Sequence, residues 1–182
     1  DAVVVPGGFS YGDYLRVGAI ARFAPAMERV REFADSGGPV LGICNGFQVL
    51  CEAGMLPGAL LPNEDLRFLC RQVGLEVVST ASAWTSACEP GDRLSIPVKH
   101  TTGRYFAPPE LLERLEGEGL VILRYAAGEN PNGSLNDIAG VRNERGNVAG
   151  LMPHPEHAVD PLTGSEDGLR LFESAARSLA AA

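Results

Sequence analysis

Cys44 is the residue in this sequence whose surroundings most suggest a nucleophile. It sits in Gly42-Ile43-Cys44-Asn45-Gly46, with a glycine two residues to either side. The apolar run 40–43 before it has the length and β-branched content of a buried strand. Residues 47–52 after it have helical composition. Strand, sharp turn and helix with a nucleophilic atom at the turn is the pattern known with serine as G-x-S-x-G. Its turn is tight enough to strain the central residue, and side chains beside it would clash. A cysteine so placed stands at the carboxyl end of a strand and the amino end of a helix. There the helix dipole and free amides favour thiolate over thiol. By itself the pattern fits an inert cysteine between two turn glycines equally well.

The run Met152-Pro153-His154-Pro155-Glu156 supplies what such a nucleophile needs. Proline disfavours helical geometry in the residue before it, so Met152 and His154 are expected to be extended. An extended chain has a side-chain period of two, which puts His154 and Glu156 on one side. A carboxylate beside a histidine fixes the tautomer and steadies the imidazolium, so the pair reads as base and orienter. His100 and His157 are rival bases; neither has a carboxylate two residues on, and both rank below His154. A third group is Gly7-Gly8, directly after the strand-like run 2–5. Ligands collect at the carboxyl ends of strands in open α/β sheets, and bare glycine amides there could bind an oxyanion. An ordinary turn explains the two glycines as readily.

The rest of the chain is the frame for these groups. Ile20, Phe23, Met27, Val30 and Ala34 recur at three- and four-residue steps, a helical stripe that Pro25 divides into a short and a longer piece. Residues 11–14 and 56–62 read as loop. Residues 68–79, 94–100 and 120–124 read as strands, and 110–115 as a short helix. Residues 138–142 and 148–152 flank a turn and predict a hairpin. Leu169, Phe172, Ala176 and Leu179 share one face of a final helix over 165–180.

With 182 residues, 45% of them hydrophobic and 21% charged, the chain is of ordinary single-domain size and globular composition. A net charge of −8 argues against nucleic acid as partner. No apolar run reaches the ~20 residues of a membrane span. The four cysteines form no C-x-x-C pair, so neither a zinc site nor a thioredoxin-type motif is expected. Reduced thiols in a cytoplasm are the expectation.

Together, Pro6-Gly7-Gly8, Gly42 to Gln48 and His154-Pro155-Glu156 resemble the three signatures of the class I (triad) glutamine amidotransferases. Residues 9–16, 100–105 and 132–141 are similar to the branch of that family serving purine synthesis. The resemblance implies an α/β fold: an open, mainly parallel, flavodoxin-like sheet flanked by helices, with a partly antiparallel extension. Cys44, His154 and Glu156 would be catalytic, and the amides of Gly8 and Asn45 would hold the oxyanion. Gly7, Gln48, His100, Gly103, Arg104 and Tyr105 would grip glutamine. The freed ammonia would pass to a separate synthetase subunit that uses ATP and Mg to convert formylglycinamide ribonucleotide to its amidine, accompanied by a small third subunit. No metal or cofactor is implied on this chain itself. Val17 departs from the family, where a small or sulfur residue is expected. Family members begin with a further strand, helix and strand, so residues 1–182 read as one amino-terminally truncated domain. Two other readings stay open: a cysteine hydrolase of the DJ-1/PfpI type, and a scaffold subunit that has lost its chemistry.

Overall fold

The computed structural model describes residues 1–10 and 16–180. Residues 11–14, read above as loop, lie outside the described residues. The first part of the chain builds β1 (Val3–Val5), α1 (Pro25–Asp35), β2 (Val40–Ile43), α2 (Asn45–Glu52) and β3 (Ala59–Pro62). Then come β4 (Leu69–Val77), β5 (Arg93–His100), β6 (Thr102–Phe106), α3 (Pro109–Gly117) and β7 (Val121–Tyr125). A hairpin of β8 (Ile138–Arg142) and β9 (Val148–Leu151) and a final helix α4 (Leu169–Ala180) complete it. Pro25 divides the first helical stripe as its chemistry requires: a short 3-10 turn over Ala21–Phe23 precedes it, and it occupies the first position of α1.

Seven strands form one α/β sheet in the order β1-β2-β9-β8-β7-β4-β5. The parallel neighbours are β1 with β2 and β2 with β9; Val5 pairs with Gly42, and Gly42 with Gly150. The other four pairings are antiparallel, so the sheet is mixed and its antiparallel share is larger than the sequence suggests. The cause is local. Residues 143–147 join β8 to β9, too short for the helical crossover that a parallel pair needs. Asn143 closes that hairpin, its side-chain oxygen accepting from Val148 N at 3.1 Å.

One difference from the sequence reading bears on the site. Residues 59–62, expected as loop, form β3, which pairs antiparallel with β6 in a separate two-stranded sheet. This pairing anchors the segment after His100. Met27 and Ala34 of α1, Phe47 and Leu50 of α2, Leu115 of α3 and Leu171 of α4 all enter one core with the buried strands. Strand β2 has all four residues buried, which fits its position between β1 and β9.

Candidate active site

The turn between β2 and α2 has the geometry that its glycines imply. Cys44 has φ 50° and ψ −103°, a strained conformation costing on the order of 1–3 kcal/mol that only a rigid surround maintains. Its amide donates to Leu151 O of β9 at 2.8 Å, and its carbonyl accepts from Gln48 N at 3.1 Å, opening α2. A Cβ at Gly46 would stand 1.9 Å from the carbonyl oxygen of Val5, and one at Gly42 would stand 2.8 Å from the Gly46 backbone. The elbow is therefore packed directly against the end of β1. This leaves Cys44 buried, with its Sγ 3.6 Å from the carbonyl oxygen of Lys99 at the end of β5.

His154 follows β9, where its amide donates to Pro97 O at 2.8 Å. Its Nδ1 lies 2.7 Å from Glu156 Oε1. An ionised carboxylate only accepts, so Nδ1 carries the proton and Nε2 keeps its lone pair in the neutral ring. Nε2 is buried and has no hydrogen-bond partner among the described residues. Burial alone would raise the Glu156 pKa, but the hydrogen bond and charge of His154 outweigh it and hold the carboxyl below its ordinary value. Gly7 is the residue between nucleophile and base. A Cβ there would lie 2.7 Å from His154 Cε1 and 3.5 Å from Cys44 Cβ, so a glycine lets ring and cysteine face each other.

All of this opens on one cavity of about 670 Å³, lined in part by Gly7, Gly8, Cys44, Gln48, His100, His154 and Glu156. The structure thus gathers seven of the residues singled out in the sequence. Asn45 lies in the first turn of α2, and its side chain is spent on Gln48, donating from Nδ2 to Oε1 at 2.9 Å. Gln48 in turn donates from Nε2 to Thr102 O at 2.5 Å. Gln48 therefore holds the loop after β5 in place as well as facing the cavity. The remaining three residues are not among those lining the cavity. Gly103 O accepts from Asn132 Nδ2 at 2.9 Å. Arg104 is half-buried beside Gly133. Tyr105 is fully buried, its hydroxyl donating to Pro57 O at 2.8 Å.

His100 is held in one tautomer by a residue the sequence reading missed. Asn63 is fully buried at the end of β3 and donates from Nδ2 to Arg67 O at 2.8 Å and to His100 O at 3.0 Å. Its Oδ1 must then accept, and it faces His100 Nδ1 at 2.9 Å. The Nδ1 proton is fixed by that bond, which leaves Nε2 as a buried acceptor on the cavity wall. Burial, with a smaller contribution from His154, pushes the His100 pKa down to about 4. Thr101 and Phe9, from two of the runs singled out above, also line the cavity, as do Lys99 and Phe68, which were not foreseen. Only the fold announces them, because strand pairing brings them to one opening.

His154, Glu156 and His157 offer ligand atoms within 4.8 Å of one another, the set among the described residues with metal-ligand spacing. One ligand atom of each is already engaged, while His154 Nε2 and Glu156 Oε2 have no hydrogen-bond partner among the described residues. His154 and Glu156 bond each other, and the Lys99 ammonium stands 2.9 Å from His157 Nδ1. We read the group as a hydrogen-bonded array.

A strained cysteine elbow, an imidazole with its carboxylate and a glycine-lined opening together define a cysteine-dependent hydrolytic site on an α/β sheet. The chain belongs to the CobB/CobQ-like glutamine amidotransferase domain family, whose model matches residues 1–177. Among curated relatives it is 63% identical to the phosphoribosylformylglycinamidine synthase subunit PurQ of Rubrobacter xylanophilus, over 96% of this chain and 78% of that protein. It is 62% identical to the subunit of the same name from Nocardia farcinica, over 100% of this chain and 81% of that one. Among solved structures, PurLQS from Thermotoga maritima superposes with a TM-score of 0.88 at 44% identity, covering 97% of this chain and 79% of that one.

Proposed function

We infer that this chain is a glutaminase subunit of phosphoribosylformylglycinamidine synthase, supplying ammonia in purine biosynthesis. The observation that carries the reading is the Cys44–Gly7–His154–Glu156 arrangement, in a chain 63% identical to a curated subunit of that enzyme. Cys44 attacks the carboxamide carbon of glutamine as the thiolate, its proton taken by His154 Nε2. The amides of Gly8 and Asn45 hold the oxyanion. His154 then returns the proton to the leaving nitrogen, so ammonia departs and a glutamyl thioester remains on Cys44. Water, deprotonated by the same imidazole, cleaves the thioester to glutamate. Glu156 keeps the Nδ1 proton in place throughout. Gln48 and the 100–103 loop form the wall against which the rest of glutamine lies, His100 Nε2 presenting an acceptor and Gly7 leaving room for the carboxamide. Arg104 and Tyr105 serve this wall from behind, Tyr105 by fixing the loop to Pro57.

The likeness to PurLQS supports work in a complex with a synthetase subunit of the PurL type and a small PurS-type subunit. ATP and Mg belong in this reading to the synthetase. Among the described residues no helix is long and apolar enough to cross a membrane. Work in the cytoplasm follows from the assigned reaction. The test is glutamine hydrolysis, with peptide cleavage as the control that would favour a DJ-1/PfpI-type hydrolase, together with labelling by an electrophilic glutamine analogue. Label on Cys44, sparing Cys51 and Cys88 whose thiols burial holds protonated, supports the reading. Equal label on all four cysteines, or peptide cleavage without glutaminase activity, overturns it.

A further inference from the structure

The triad carboxylate has a second histidine within reach. His157 stacks on His154, ring centroids 5.3 Å apart and planes 14° from parallel. Its Nδ1 is 3.8 Å from Glu156 Oε1, the same oxygen that bonds His154 Nδ1 at 2.7 Å. Were His157 protonated, both rings would carry protons toward one carboxylate oxygen. An imidazolium would also lie stacked against the imidazole that must itself become charged. A site built on His154 and Glu156 cannot work well in that state.

The neighbour on the other side excludes it. Lys99, at the end of β5, places Nζ 2.9 Å from His157 Nδ1. An ammonium has donors and no acceptor, so a bond at this distance requires the lone pair to be on Nδ1 and any proton on Nε2. We propose that Lys99 is a positioning residue for the glutaminase reaction: by claiming His157 Nδ1 it keeps that ring neutral, so that Glu156 serves His154 alone. The charged and titratable groups acting on His157 are Lys99 from β5 and His154 and Glu156 from its own turn. Desolvation, Lys99 and His154 all lower its pKa while Glu156 raises it, and the net direction is downward. The sign agrees with the geometry. The His157 side chain is 45% exposed, so solvent and salt weaken the Lys99 effect, and a moderate shift is expected rather than a loss of function.

The proposal rests on the glutaminase reading, and a double-mutant cycle with a spectroscopic arm separates the two. Lys99→Met removes the ammonium and keeps the bulk; His157→Phe keeps the stack and removes the competitor. Glutamine kcat/KM is followed from pH 5.5 to 8.5 in the protein assembled with its synthetase subunit. Lys99→Met should be about three- to tenfold slower than the parent at pH 6 and equal to it at pH 8. In the His157→Phe background the same substitution should change nothing at pH 6. An equal loss in both backgrounds, or no loss in either, overturns the proposal, since Lys99 would then act on substrate or not at all. Independently, nitrogen NMR of labelled histidine should find His157 with Nδ1 unprotonated at pH 7, and an Nδ1–H tautomer also overturns it. A parent protein that shows this tautomer yet turns over no glutamine would refute the functional reading and leave the placement of Lys99 standing.

Discussion

The two walls of the cavity are built by different means. On the Cys44 side, position is a property of the main chain. The elbow is wedged between β1 and β9, and the space a side chain would need at Gly42, Gly46 or Gly7 is already taken. On the His100 side, position is a property of buried amides. Asn63 fixes one histidine tautomer, Asn132 takes Gly103 O, and Gln48 reaches across to Thr102 O. A steric wall fails abruptly, because close packing leaves no partial arrangement. A hydrogen-bonded wall loosens by steps, each lost bond costing about 1 kcal/mol.

The largest expected effect lies on the steric side. Gly46→Ala puts a methyl 1.9 Å from Val5 O and should destabilise the fold by more than about 3 kcal/mol, read from urea denaturation. A stable, active Gly46→Ala protein would remove the basis for calling that wall steric. Next comes Glu156→Gln, which keeps shape and loses the charge. Its kcat should fall on the order of a hundred- to ten-thousandfold with thermal stability little changed at pH 7. A drop of only a few-fold in a glutaminase assay would mean that Glu156 does not orient His154.

On the hydrogen-bonded wall, His100 gives a pH signature. An unfolded chain binds its proton near the ordinary value of 6.5, whereas the folded site resists until about pH 4. Stability from this group is therefore fully present above pH 6.5 and is lost as pH falls toward 4, by about 3 kcal/mol in all. His100→Gln cannot titrate and should flatten that part of the stability curve; parallel curves for the two proteins would deny the buried neutral ring. The smallest effect is expected of Asn63→Ala. Releasing the tautomer should raise KM for glutamine about three- to tenfold and spare the Cys44 labelling rate at saturating analogue. A fall in labelling as large as the rise in KM would show that the two walls are not separable.

The same division explains what could be read in advance. Gly42, Cys44 and Gly46 lie within five residues, and His154 and Glu156 within three, so a local pattern encodes them; the β8–β9 hairpin was legible for the same reason. The Asn63–His100 lock spans 37 residues and depends on β3 meeting β6, a pairing that the short run at 59–62 does not announce. Lys99 carries no signal in the sequence, because only the fold brings it to face His157. The extent of antiparallel pairing was likewise set by how β7 and β4 meet, which no local spacing reveals.

Tyr105 joins the two walls. Its ring stacks on Phe47, three residues beyond the nucleophile, at 6.0 Å and 12°, and Gln48 bonds Thr102 from the next position of α2. The 100–105 segment and the helix that presents sulfur are thus one mechanical piece. Thermodynamic reciprocity then applies: whatever a ligand gains by stiffening the 100–105 segment is felt at the sulfur, and a group placed on the sulfur would alter the binding of that ligand by the same factor. In the mechanism proposed above, the glutamyl thioester and free glutamine would then not be held alike, because the covalent state of Cys44 acts on the loop as a ligand does.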